Sequence, residues 1–159
     1  MKQDRDSIIQ DLQTAFTELT DFRANRFHPL VWIHGEPIIG ERTCIGAMSE
    51  VNAKGSRVTI GADCDIASFV AINCADSHKR CLGIQEEIER RDITIGHHVF
   101  IGSHSLVKGG AVIGNYCVVA AGTIVDAVEI PDYSLVFGNP MQVKPAYYRD
   151  RVAAGGNGA

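Results

Sequence analysis

His78 stands two residues after Asp76, at the head of the charged segment SHKRCLGIQEEIERRDIT that runs from Ser77 to Thr94. Histidine is the side chain whose ordinary pKa suits it to removing a proton at neutral pH, and a carboxylate hydrogen-bonded to the ring fixes its tautomer. Asp76 and His78 together read as a general base with its orienting group; an aspartate at that spacing equally caps a turn. His97, His98 and His104 raise a different chemistry, a metal site. His98 and His104 are six residues apart and share one position of the repeat described below, so they fall on adjacent faces of the scaffold and point apart. Side chains that point apart do not share one ion, and no bound metal is expected. The five cysteines, Cys44, Cys64, Cys74, Cys81 and Cys117, are an odd set without a C-x-x-C pair, which argues for reduced thiols rather than a disulfide framework or a structural zinc.

A repeat must position these groups. Ile or Val opens each of twelve six-residue units, at Ile39, Ile45, Val51, Ile60, Ile66, Ile72, Ile95, Ile101, Val107, Ile113, Val119 and Val125. The units read IGERTC, IGAMSE, VNAKGS, then IGADCD, IASFVA, INCADS, then IGHHVF, IGSHSL, VKGGAV, IGNYCV, VAAGTI, with VDAVEI closing the series. Gly is frequent at the second position, and the fifth is small or β-branched, as in Thr43, Ser49, Cys64, Val70, Ser105 and Cys117. So many aligned units are hard to produce by chance. Each unit supplies a short strand and a corner: β-branched first positions fill a narrow core, and small residues near the corner let the chain turn. Three units complete a triangular coil, and pairing between coils builds a parallel sheet on each of three faces. A β-sandwich would need Asn-Gly hairpin signals and strict in/out alternation between strands, and neither is seen among the repeats.

Between INCADS and IGHHVF the charged segment is too long to be coil. The spacing predicts an excursion loop over 77–93 with one helical turn around Ile84 to Glu89, and loops thrown from a rigid scaffold are where binding and catalysis concentrate. Ahead of the repeats, Ile8, Ile9, Leu12, Phe16, Leu19 and Phe22 recur at helical spacing, which predicts an amphipathic helix from about Asp6 to Asn25 that caps the open end of the stack. The expected organisation is a helical segment over 1–30, the repeat body over 31–145 and a tail over 146–159, in which Tyr147 and Tyr148 pack back onto the coils.

At 159 residues with a net charge of -4, the chain carries no Lys/Arg cluster and no aromatic platform, so nucleic acid is not an expected partner and a small molecule is. The opening MKQDRDSIIQDLQ is charged where a signal peptide needs an apolar core, and no apolar run approaches membrane-spanning length. The expectation is a cytoplasmic protein with no membrane partner.

From roughly Ile33 to Lys144 the chain resembles the hexapeptide-repeat acyltransferase family. The segment TIGHHVFIGSHSLVKGGAVIGNYCVVAAGTIV, followed by IPDYSLVFGNP, is similar to the C-terminal coils of sugar and maltose/galactoside-type O-acetyltransferases and of nucleotide-amino-sugar N-acetyltransferases. The resemblance implies an all-β, left-handed parallel β-helix, with acetyl-CoA as acyl donor and a sugar or nucleotide-sugar acceptor, as in bacterial surface polysaccharide synthesis. A homotrimer is expected, because one prism has flat faces and a deep cleft forms most easily where two subunits meet. The family's catalytic His stands at the start of a comparable loop, which carries that role to His78, with His78-Lys79 where His-Pro is common. Gly102, Ser103, Ala121 and Gly122 match positions that line the pantetheine channel, and Asn139 and Pro140 match the turn that borders the cofactor. Asn52 matches an Asn that contacts substrate from the neighbouring subunit in some members, and His98 or His104 borders the active-site groove; Asn52 and His104 are the expected acceptor-side residues. The family's Thr-Lys after the last repeat is Asp126-Ala127 here, and the cation after Gly-Asn-Pro is displaced by Met141-Gln142. Lys144 is then the nearest cation for the CoA phosphates, with Lys108 and Arg149 as substitutes. Transfer to a hydroxyl leads, and N-acetylation of a nucleotide-linked amino sugar is the alternative. A rival family of the same fold, the γ-class carbonic anhydrases, holds zinc with three His from neighbouring subunits but spaces two of them five apart. A third reading is a non-catalytic β-helix in which the excursion is idle.

Overall fold

The computed structural model describes residues 4–19, 25–27 and 30–155. The body is a left-handed parallel β-helix whose strands are two to four residues long. The first face carries Trp32–Gly35, Glu50–Ala53, Ala71–Asn73, Leu106–Lys108 and Ile124–Val125. The second carries Ile38–Ile39, Val58–Ile60, Ile93–Ile95, Val112–Ile113 and Glu129–Ile130. Cys44–Ile45, Asp65–Ile66, Phe100–Ile101, Val118–Val119 and Leu135–Phe137 make the third, which Gln142–Lys144 extends as an antiparallel strand on Leu135–Phe137.

Register follows the repeat. Ile39, Ile60, Ile95, Ile113 and Ile130 pair in sequence on the second face. Ile45, Ile66, Ile101, Val119 and Val136 do so on the third, and Ile33, Val51, Ile72, Val107 and Val125 on the first. Apart from Ile39 all of these are buried, so the core is three converging columns of branched side chains. Burying each removes most of its apolar surface from water, worth about 1.5–3 kcal/mol per side chain. The columns continue through Ile130 and Val136, one coil beyond the predicted close of the series. The repeat drops one residue between Ile113 and Ile130, which hid that coil from a strict six-residue frame.

The corners turn differently from the expectation. The reversal is made at the fourth repeat position, where Arg42, Met48, Asp63, Phe69, His98, His104, Tyr116 and Tyr133 all adopt left-handed backbone with φ between 54° and 64°. The fifth position points inward. There Thr43 Oγ1 donates to the Gly61 carbonyl (2.7 Å) and Ser49 Oγ to that of Ala67 (2.9 Å), while the thiols of Cys64 and Cys117 approach carbonyls at 3.2 Å. Small residues are required because the corner is narrow, and slightly polar ones because they meet backbone oxygens there. Gly at the second position answers to the next coil: a Cβ on Gly61 would lie 2.4 Å from the Gly96 oxygen.

The first helix, α1, spans Arg5–Leu19. It packs on the first coil through Phe16 stacked on Trp32 at 5.8 Å and through Gln13 Nε2 donating to the Asn25 carbonyl (2.9 Å). The predicted continuation falls partly on residues 20–24, outside the described residues, and Asn25 itself is not helical. At the other end the Tyr148 amide donates to the Tyr133 carbonyl (2.9 Å), and a short helix follows at Arg149–Gly155. No helix among the described residues is long and apolar enough to cross a membrane.

Candidate active site

The excursion leaves the edge between the first and second faces after Asn73 and returns at Ile93. Its base is an antiparallel ribbon, Ala75–Asp76 against Glu89–Arg90, which sets Asp76 opposite Glu89. The ribbon is tied to the coil at several points. The Arg91 amide donates to the Cys74 carbonyl (2.9 Å), the Arg90 guanidinium donates to the Lys54 carbonyl, and Asp92 Oδ1 accepts from Ser56 Oγ (2.7 Å) and the Arg57 amide (2.8 Å). Lys79 Nζ reaches Glu89 Oε1 at 2.5 Å across the base, and that ammonium holds the Glu89 carboxyl below the usual range.

The helical turn of the excursion lies at its start, His78–Cys81, and not at the predicted Ile84–Glu89. Asp76 Oδ1 accepts the His78 backbone N–H (3.1 Å), the Cys81 amide bonds back to the Ser77 carbonyl (2.9 Å), and Gly83, at φ 70°, ends the turn in left-handed conformation. The apolar residues Leu82 and Ile84 project into solvent. With no packing face to bury them, the helical spacing around Ile84 had nothing to stabilise it.

His78 and Asp76 are brought into direct contact, with imidazole Nδ1 2.6 Å from Asp76 Oδ1. The same carboxylate oxygen caps the turn and meets the ring. Hydrogen bonds from the ring and then from the backbone of His78 hold the Asp76 carboxyl below the usual carboxylate range. An ionised acceptor at Nδ1 favours the tautomer that leaves Nε2 bare, the form that takes up a proton. Both side chains are about half exposed, 55% and 53%, and are open to solvent without a conformational change.

Beside them lies a cleft of about 420 Å³. The excursion contributes Asp76, His78, Lys79, Glu89 and Arg91 to its wall, and the coil contributes Asn73, Leu106, Lys108 and Gly109. Cys74 also faces it, but burial pushes that thiol up and away from thiolate character. Asn52 sits one coil from the cleft and donates to Asn73 Oδ1 (3.2 Å). Asn52, Asn73 and Lys108 are the second-position residues of the first-face repeats, a periodic column of polar groups that the repeat frame could have revealed.

The remaining predicted residues gather elsewhere. Gly102, Ser103, Ala121 and Gly122 stack on successive coils at the edge between the third and first faces, with the Gly122 amide donating to the Ser103 carbonyl (2.9 Å). His104 occupies that edge too, its ring stacked on Phe69 at 4.9 Å. Asn139 and Pro140, joined by a cis peptide, form the turn after Phe137, and Lys144 Nζ lies 5.2 Å from the Phe137 ring centroid. Within one chain the width of the first face separates this edge from His78. His98 is on yet another edge, stacked on Tyr116 at 4.6 Å, and His97 Nδ1 accepts the Ala62 amide (3.0 Å). Among the described residues no three His, Cys, Asp or Glu side chains gather as a metal site.

Known proteins match this chain as follows. A family model described as bacterial transferase hexapeptide (six repeats) matches residues 92–127. A dTDP-3-amino-3,6-dideoxy-alpha-D-galactopyranose 3-N-acetyltransferase of Aneurinibacillus thermoaerophilus is 46% identical over 44 residues, 28% of this chain and 22% of that protein. The polysialic acid O-acetyltransferase of Escherichia coli O1:K1 is 34% identical over 108 residues, 67% of this chain and 35% of that protein. The chain thus spans between about a fifth and a third of these curated relatives. Among solved structures, a mutant of the N-acyltransferase AntD from Bacillus cereus, in complex with dTDP and coenzyme A, superimposes with a TM-score of 0.68 at 22% identity, covering 80% of this chain and 72% of that one, a likeness of fold.

Proposed function

We propose that the chain is a hexapeptide-repeat transferase that moves acetyl from acetyl-CoA to a hydroxyl of a sugar or sugar derivative, with His78 as general base. The observation that carries this reading is the imidazole held by Asp76 at 2.6 Å on the wall of an open cleft. Nε2 takes the hydroxyl proton as the oxygen attacks the thioester carbonyl. When the tetrahedral adduct collapses, the C–S bond breaks and the imidazolium returns the proton to the departing CoA sulfur. Asp76 is the carboxylate that stabilises the imidazolium between those steps.

The donor is assigned to the edge carrying Gly102, Ser103, Ala121 and Gly122, with Asn139, Pro140 and Lys144 at its end. Small side chains there leave room for a thin pantetheine arm. That edge and the His78 cleft belong to opposite borders of one face, so we assign each complete site to two subunits of a homotrimer, with Asn52 and His104 on the acceptor side. The acceptor is placed among the sugars of bacterial surface polysaccharide and the reaction in the cytoplasm, where acetyl-CoA is made.

Substitution His78→Ala tests the mechanism. The side chain is half exposed, so fold and CoA affinity are expected to survive while turnover falls by about 10²–10⁴. A folded His78→Ala protein with most of its activity removes the residue from the mechanism. The identity shared with an amino-sugar N-acetyltransferase favours a second reading, transfer to an amine. An amine is already partly neutral near pH 8 and needs less help than a hydroxyl, so a loss near the lower end of that range supports N-acetylation and one near the upper end O-acetylation.

A further inference from the structure

Three cations, Lys79, Arg91 and Lys108, and two carboxylates, Asp76 and Glu89, line the cleft. The carboxylates are already committed. Asp76 accepts from His78, and Glu89 is held by Lys79 at 2.5 Å, leaving its other oxygen 3.9 Å from Arg91 Nη2, beyond hydrogen-bond reach. Lys108 Nζ meets Asp126 at 2.9 Å, which engages one of its three N–H groups and uses a carboxylate that is not part of the cleft wall. Arg91 is anchored rather than loose. Its backbone N–H donates to the Cys74 carbonyl, and its stem lies over Gly110, where a Cβ would come within 3.4 Å of Arg91 Cδ. A guanidinium whose ion pair with Glu89 is as long as 3.9 Å, and so hydrogen-bonds to no carboxylate among the described residues, keeps a fork that matches the planar oxygens of a carboxylate or phosphate.

We infer that Arg91 and Lys108 form an anion subsite that receives an acidic group, carboxylate or phosphate, carried by the acceptor sugar. The inference rests on the cleft being the acceptor side of a transferase. A hydroxyl that gives its proton to His78 must lie within hydrogen-bond reach of it, and these two cations share that same cleft. The thioester end of the donor must meet His78 and its phosphates are assigned to Lys144, which leaves Arg91 and Lys108 to the acceptor. Leu106 supplies a large apolar side chain against which a ring can rest, and Asn73 supplies an amide for its hydroxyls.

Equilibrium binding of three probes to the full chain tests this: galacturonic acid, galactose 1-phosphate and galactose. At least one acidic sugar is expected to bind about tenfold more tightly than galactose, the scale of a charge-assisted contact in a partly exposed site. Whichever acid wins names the group. Arg91→Gln should bring the acidic and neutral sugars to within about threefold of each other, Lys108→Gln should narrow the gap less, and Arg91→Lys should retain part of it. CoA affinity and melting midpoint should not change. Acidic and neutral sugars binding alike, or neither acid binding, overturns the subsite. So does a fall in CoA affinity with the Arg91→Gln variant, which would hand these cations to the donor. Acidic-sugar preference in a protein that binds no acetyl-CoA would leave the subsite standing and defeat the transferase reading alone.

Discussion

Tyr116 offers a quantitative test of how the corners are held. It occupies the fourth repeat position with φ 56°, and its ring is stacked between His98 (4.6 Å, 9° between planes) and Tyr133 (5.2 Å, 5°). Tyr116→Ala removes both stacks and keeps a side chain in left-handed backbone; at about 0.5–1.5 kcal/mol per aromatic pair, the loss is about 2 kcal/mol. Tyr116→Gly loses the same stacks but relieves a conformation that costs a residue with a Cβ about 1–2 kcal/mol. The greater freedom of glycine in the unfolded chain takes back about 0.5–1 kcal/mol. The glycine variant should therefore be more stable than the alanine variant by about 0.5–1 kcal/mol, although glycine is the poorer residue almost anywhere else. With about 2–4 °C per kcal/mol for a chain of this size, alanine should lower the melting midpoint by about 4–8 °C and glycine by about 2 °C less. Protein concentration must be matched, because the proposed subunit association would make the midpoint concentration-dependent. An alanine variant that melts at or above the glycine variant would refute the claim that the left-handed corner carries strain. Two variants melting with the wild type would show that the stack contributes nothing.

Asp92, which ties the excursion to the coil, has its carboxyl held below the usual range first by Ser56 and then by the Arg57 amide. A depressed folded pKa gives stability that is present above the unfolded value and is lost as pH falls through the folded one. Asp92→Ala should therefore lower the melting midpoint at pH 7, and the difference should shrink as pH drops from about 5 towards about 3; a constant difference would mean that the charge plays no part. For the assembly, sedimentation at micromolar concentration should give three times the chain mass of 17.2 kDa, and a monomer would contradict a site shared between subunits.

The body of the fold was legible because each first-position Ile or Val does the same job in every coil, so the requirement recurs in the sequence at the period of the structure. Legibility failed where a requirement is met by backbone rather than by residue type. The left-handed corner accepts Arg42, Asp63, His98 and Tyr116 alike, since neighbouring coils fix its conformation whatever the side chain. A scan for small or Gly-like turn residues therefore settles on the fifth position, which is small for a different reason, the narrow interior corner where Thr43 and Cys117 meet carbonyls. The last coil escaped for a related reason: Ile130 and Val136 keep the core register although the chain between Ile113 and Ile130 is one residue short, and a fixed frame cannot follow a slip that pairing tolerates.

The site divides in the same way. The contact of Asp76 with His78 could be anticipated because it is local, two residues apart and made by a turn. The parts of the cleft that surround them are not local. Lys79 finds Glu89 ten residues on, Asp92 finds Ser56 36 residues back, and Arg91 lies over Gly110, with no period to announce any of these pairs. An excursion can depart from the repeat only if its ends are fastened to coils that do not, and the Asp92 and Arg90 contacts to the loop one coil earlier are that fastening. The second-position column is where the two kinds of information meet. Asn52, Asn73 and Lys108 are placed by the repeat; Asn73 and Lys108 line the cleft as a regular polar floor beneath an irregular wall, and Asn52 continues the column one coil away. The proposed base and the proposed anion subsite therefore share an edge where a coil provides the floor and the loop provides the charges.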